Sequence, residues 1–96
     1  MRLSARARQG IREVGLCHFG VEPRLFGSRL DEARRGGDID LLIRADLSPE
    51  EAVRRQLDFL AELWFRLGER KIDIVFDDGQ SRSPIVERAR REAVPV

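Results

Sequence analysis

The sequence has no tyrosine and one residue each of cysteine, histidine, tryptophan and methionine. The lone Cys17 excludes an intrachain disulfide framework. His18 follows it, but one Cys and one His fall short of the three or four protein ligands that zinc takes, so a Cys-based zinc site is not expected. Cys17 reads as a small semi-buried core residue and His18 as an ordinary loop or helix-end residue. No apolar run approaches the roughly 20 residues of a membrane span. The Arg-rich N-terminus lacks the apolar stretch and cleavage pattern of a secretory signal, so the expected location is cytoplasmic. Lysine is almost missing, Lys71 being the sole exception among 18 basic residues. The net charge of +1 excludes a polybasic coat, and direct binding to nucleic acid is not expected. There is no internal repeat and no low-complexity segment.

What remains is 96 residues, 42% of them apolar. That is enough for one packed core and too little for two, so residues 1–96 are read as a single domain. The chain is short to build a site for one substrate and also enclose a large second one. Charge is uneven: an acidic middle, residues 36–78, lies between two basic ends. This fits either metal binding inside a phosphate-attracting rim or ordinary solvated helix faces.

Periodicity divides the chain as α-β-loop-β-α-β-α. Leu3, Ala7, Ile11 and Val14 form one stripe of a helix over 3–16, with Gly15 as its stop. Residues 22–28 read as a short strand opened by Pro23 and broken by Gly27-Ser28. A polar loop ends in Gly36-Gly37. Residues 38–44 alternate as a strand, with Ile39, Leu41 and Ile43 on one face and Asp38, Asp40 and Leu42 on the other. Ser48, Pro49 and Glu51 mark the start of a helix over 48–67, with a capping box and Gly68 as its end. Val53, Leu57, Leu60, Trp64 and Leu67 are its expected core stripe. Residues 71–76 are a third strand, with Ile72, Ile74 and Phe76 opposite Asp73 and Val75, and Asp77-Asp78-Gly79 is a turn. Ser83-Pro84 opens a last helix, with Ile85, Val86, Ala89 and Ala93 towards the core. The expected class is α/β (α+β), a small mixed sheet with helices packed on one face.

Three carboxylates stand out. Asp38 and Asp40 share one face of a strand, and Asp73 sits among apolar residues on another. Carboxylates are depleted in strands, and like charges on one face repel. A divalent cation between them resolves the conflict, and Mg²⁺ takes oxygen ligands while leaving positions for substrate phosphates. Two such ions would clamp an in-line phosphoryl displacement. Charge that protects a strand edge is the competing reading. Upstream, Gly27 lets backbone approach a phosphate closely. Ser28 and nearby N–H groups can hold phosphate oxygens, and Arg29 can add a fork-shaped contact or simply face solvent.

The order Gly27-Ser28-Arg29, then Gly37-Asp38-Ile39-Asp40-Leu41-Leu42-Ile43, then Lys71-Ile72-Asp73-Ile74-Val75, resembles the DNA polymerase β-like nucleotidyltransferase superfamily. It looks like the minimal nucleotidyltransferase (MNT) branch. The resemblance spans roughly residues 3–90. Gly37 stands where many relatives carry serine, and the loop Leu30–Gly36 differs from the commoner small-residue version.

The resemblance implies the nucleotidyltransferase fold and a catalytic and metal-binding triad of Asp38, Asp40 and Asp73 for two Mg²⁺ ions. Asp73 would also orient or deprotonate the acceptor hydroxyl. It implies that Gly27, Ser28 and Arg29 bind the nucleotide. The implied reaction moves AMP from ATP to a hydroxyl and releases pyrophosphate. MNT proteins commonly pair with a HEPN-type helical protein encoded nearby, acting as antitoxin by adenylylating a tyrosine of that toxin. A non-catalytic nucleotide-binding antitoxin or subunit is the alternative, and a small-molecule nucleotidyltransferase subunit is a third reading. Phe19, Phe59 and Phe65 are candidates for a partner interface or for capping the core.

Overall fold

The computed structural model describes residues 4–26, 39–69, 71–80 and 82–96. Helix α1 spans Ala5–Phe19. Ser4 caps it, its Oγ accepting the Ala7 N–H at 3.0 Å. Ala7, Ile11 and Val14 are buried, as their spacing predicts. Gly15 does not stop the helix. The chain continues to Gly20, which ends it at φ 75°, a left-handed conformation that only glycine adopts cheaply. Gly15 instead admits a neighbour, because a Cβ there would lie 2.3 Å from the ring carbons of Pro23.

Helix α2 spans Pro49–Leu67, with the Ser48 Oγ accepting the Glu51 N–H at 3.2 Å. The Glu51 carboxylate is taken by Arg54 and Arg55, so the expected capping box closes on one side only. The buried face of α2 also differs from the expected one. Phe59 and Leu63 are its buried residues, with Leu60, Trp64 and Leu67 packed beside them, while Val53 and Leu57 are exposed. Both stripes satisfy helical spacing and share Leu60, Trp64 and Leu67. The phase is set by the large apolar area of Phe59, whose ring lies 5.2 Å from that of Phe19.

Among the described residues four strands form one mixed sheet in the order β3-β2-β1-β4. They are β1 (Arg24–Leu25), β2 (Ile39–Arg44), β3 (Ile72–Asp77) and β4 (Val94–Pro95). Strands β2 and β3 run parallel, and β1 is antiparallel to both β2 and β4. The α+β class is as expected. The two-residue β4 was not foreseen, since a Val-Pro pair carries no periodicity.

One face of the sheet presents Leu25, Ile39, Leu41, Ile43 and Ile72 to the core beneath α1 and α2. The last helix, α3 (Pro84–Glu92), lies on the other face. There Ala89 and Ala93 pack on Phe26, Leu42 and Val75. The helices therefore flank both faces rather than one. Leu42 and Val75 are apolar positions on a face that otherwise carries the charged Asp40, Arg44, Asp73 and Asp77, so covering them removes apolar area from water, and two alanines let a helix come close. Of the residues expected to face the core from α3, Ile85 is exposed.

Candidate functional site

Strand alternation turns Leu41 and Ile74 towards α1 and α2, which leaves Asp40 and Asp73 on the α3 face. The parallel register pairs these two residues directly, Asp40 with Asp73. Register partners on adjacent strands share a face, with backbones about 4.8 Å apart. Asp40 is half-buried and Asp73 exposed. Alanines 89 and 93 cover the next pair along, Leu42 and Val75.

The site is anchored by backbone on both sides. Phe26 N–H donates to the Asp40 carbonyl at 3.1 Å, and Ile39 N–H donates to the Lys71 carbonyl at 3.0 Å. Phe26 and Ile39 are the covalent neighbours of Gly27 and Asp38. Gly27, Ser28, Arg29 and Asp38 themselves lie outside the described residues. Of the expected triad, the structure thus brings Asp40 and Asp73 together. Two carboxylates held on rigid strand backbone are an all-oxygen anionic donor set, which suits a hard divalent cation such as Mg²⁺ and is a poor match for a soft metal.

Farther along the same face is a cleft of about 380 Å³ lined by Arg24, Arg44, Arg90, Glu22, Leu42 and Asp77. Asp77 was expected in a turn. It is the last residue of β3 and only 4% exposed. Its two carboxylate oxygens accept from Arg90 at 2.8 and 2.7 Å, and one also accepts the Gly79 N–H at 2.8 Å. The Arg90 hydrogen bonds, outweighing burial and helped by Gly79 and the charges of Arg90 and Arg44, pull the Asp77 carboxyl down to about 2. The pair ties α3 to β3. The signal available in the sequence was parity: Asp73, Val75 and Asp77 alternate onto one face. The guanidinia of this cleft can receive carboxylate or phosphate groups.

Phe19 and Phe59 are buried core residues, so neither is an interface residue; Phe65 is 91% exposed. Cys17 is exposed rather than semi-buried. His18 lies in the last turn of α1, and its Nε2 is 2.9 Å from Glu62 Oε1 on α2. Among the described residues no helix is long and apolar enough to cross a membrane. No protein-family model and no curated protein sequence matches the chain.

Proposed function

We propose that the chain is a Mg²⁺-dependent nucleotidyltransferase. In this reading it moves AMP from ATP to a hydroxyl, a tyrosine, of a HEPN-type helical protein encoded nearby, and acts as the cytoplasmic antitoxin of that pair. The observation that carries the reading is the in-register pairing of Asp40 with Asp73 on one sheet face. Its further support is the Gly27-Ser28 and Asp38-Ile39-Asp40 spacing of the sequence.

Asp38 and Asp40 are the residues that would hold the metal, with Asp73 completing the oxygen set. When bound, Mg²⁺ supplies charge neutralisation for the triphosphate and the departing pyrophosphate. Gly27, Ser28 and Arg29 bind the triphosphate. Asp73 orients the acceptor hydroxyl and takes its proton. The hydroxyl oxygen bonds to the α-phosphorus as the bond to the bridging oxygen of the β-phosphate breaks. Most of the rate comes from positioning.

A protein acceptor is favoured by the surface of α2. Val53, Leu57 and Phe65 are all exposed, at 57%, 61% and 91%. These exposed apolar side chains on one helix are the area of α2 that a protein partner would cover. The same observation favours the second reading, neutralisation by complex formation alone.

The test incubates the chain with Mg²⁺, labelled ATP and the helical partner. The partner becomes labelled, and the double variant Asp38→Ala with Asp40→Ala abolishes both the labelling and the neutralisation. Full neutralisation by that variant would establish the binding reading instead.

A further inference from the structure

Helix α1 ends in Cys17, His18 and Phe19. A sequence with one Cys and one His offers zinc only two such ligands, but the packing of α1 on α2 brings in a third group. The Cys17 Sγ, a ring nitrogen of His18 and a carboxylate oxygen of Glu62 all lie within 4.8 Å of one another. His18 Nε2 and Glu62 Oε1 are already in contact at 2.9 Å. Neighbouring ligands of a tetrahedral ion with bonds of about 2.0–2.3 Å stand roughly 3.3–3.7 Å apart. Small side-chain rotations therefore bring all three groups onto one ion.

We propose that Cys17, His18 and Glu62 form a site for a single borderline-soft divalent cation of the Zn²⁺ class. Three arguments carry it beyond an ordinary His–Glu contact. First, the donor set is sulfur, nitrogen and oxygen, which suits zinc and does not suit Mg²⁺. Second, thiolate and carboxylate together carry two negative charges, matching the ion. Third, neighbouring arginines contact Glu62 and the last turn of α1. Arg66 lies 3.6 Å from the other carboxylate oxygen of Glu62, and Arg55 donates to the His18 carbonyl at 3.1 Å. The Arg66 contact orients the Glu62 carboxylate, and the Arg55 contact fixes the backbone that carries His18.

Three protein ligands leave a fourth position for water or an incoming group. The site belongs to the α1–α2 layer, across the sheet from Asp40 and Asp73, and does not depend on the reading of that face. Binding displaces the thiol proton to solvent and ties the last turn of α1 to α2.

The test titrates the reduced chain with Co²⁺ alone in a non-chelating buffer, followed by Zn²⁺. One Co²⁺ binds per chain with a thiolate-to-cobalt charge-transfer band and tetrahedral visible bands, and Zn²⁺ displaces it. The aspartates cannot produce that band, and Cys17 is the only thiol. Cys17→Ser removes the band; because Cys17 is exposed, this variant keeps its fold and melting temperature. Glu62→Gln and His18→Gln each weaken Co²⁺ binding by more than about tenfold. Zn²⁺ raises the melting temperature of the parent chain and not that of Cys17→Ser. The proposal is overturned by absence of the band, by unchanged affinity in Glu62→Gln, or by half an ion per chain, which signals thiolates from two molecules.

Discussion

Asp77 is the one buried charged side chain among the described residues, and its protonation links pH to stability. Its carboxyl sits at about 2 in the folded chain, below the roughly 3.9 of an unfolded aspartate. The unfolded state therefore takes up the proton first. The stabilisation is complete above about pH 5 and is lost as pH falls through 4 towards 2, amounting to on the order of 2 kcal/mol. Urea unfolding at pH 7 should show Asp77→Asn weakened by at least about that much, and the deficit should shrink as both proteins are taken towards pH 2. A deficit that holds constant with pH would contradict the role assigned to the Arg90 contact. Gly15 makes a second test at this scale. Gly15→Ala would drive a methyl into Pro23 and should cost about 1–3 kcal/mol, although alanine is the better helix former.

At the scale of elements, α2 separates burial from surface. Phe59→Ala should cost about 3–5 kcal/mol in urea unfolding, since Phe59 is fully buried. Phe65→Ser should change stability by no more than about 0.5 kcal/mol. It should nonetheless weaken the complex with the helical partner in a pull-down or titration. Unimpaired binding by Phe65→Ser would remove Phe65 from the interface. The start of this helix was legible in Ser48-Pro49, because a cap is a local contact between residues three apart. The alternation of β2 and β3 was legible for the same reason, and so was the shared face of Asp40 and Leu42. The phase of α2 was not. Two stripes fit one period, and tertiary contact with Phe19 decides between them. Gly15 and Gly20 look alike in sequence, yet one receives Pro23 and the other turns the chain left-handed. Glu62 meets His18 across 44 positions, a distance over which no local pattern speaks.

At the scale of the whole molecule, the sheet divides two kinds of chemistry. One face is closed by α1 and α2 over an aliphatic and aromatic core. The other carries Asp40 and Asp73 near one end and the Arg44, Asp77 and Arg90 cluster towards the other. The acidic middle of the sequence resolves accordingly, with Asp40 and Asp73 gathered by the parallel register and Asp77 matched by Arg90. The pairing of Asp40 with Asp73 was expected only as a shared chemistry; their alignment depends on the register of β2 against β3, which a single sequence does not state. The role of Asp73 can be separated from that of its neighbour: Asp73→Asn should leave ATP binding, measured by titration, largely intact while label transfer falls by about a hundredfold or more. Equal loss of both would assign Asp73 to nucleotide binding alone.

Nucleotidyl transfer is tested most simply by comparing ATP labelled at the α-phosphate with ATP labelled at the γ-phosphate, each with Mg²⁺ and the helical partner. Nucleotidyl transfer predicts that the α-label becomes covalently attached to the partner, that the γ-label leaves with pyrophosphate, and that Asp40→Asn abolishes the attachment. Attachment of the γ-label, or of neither, would contradict it.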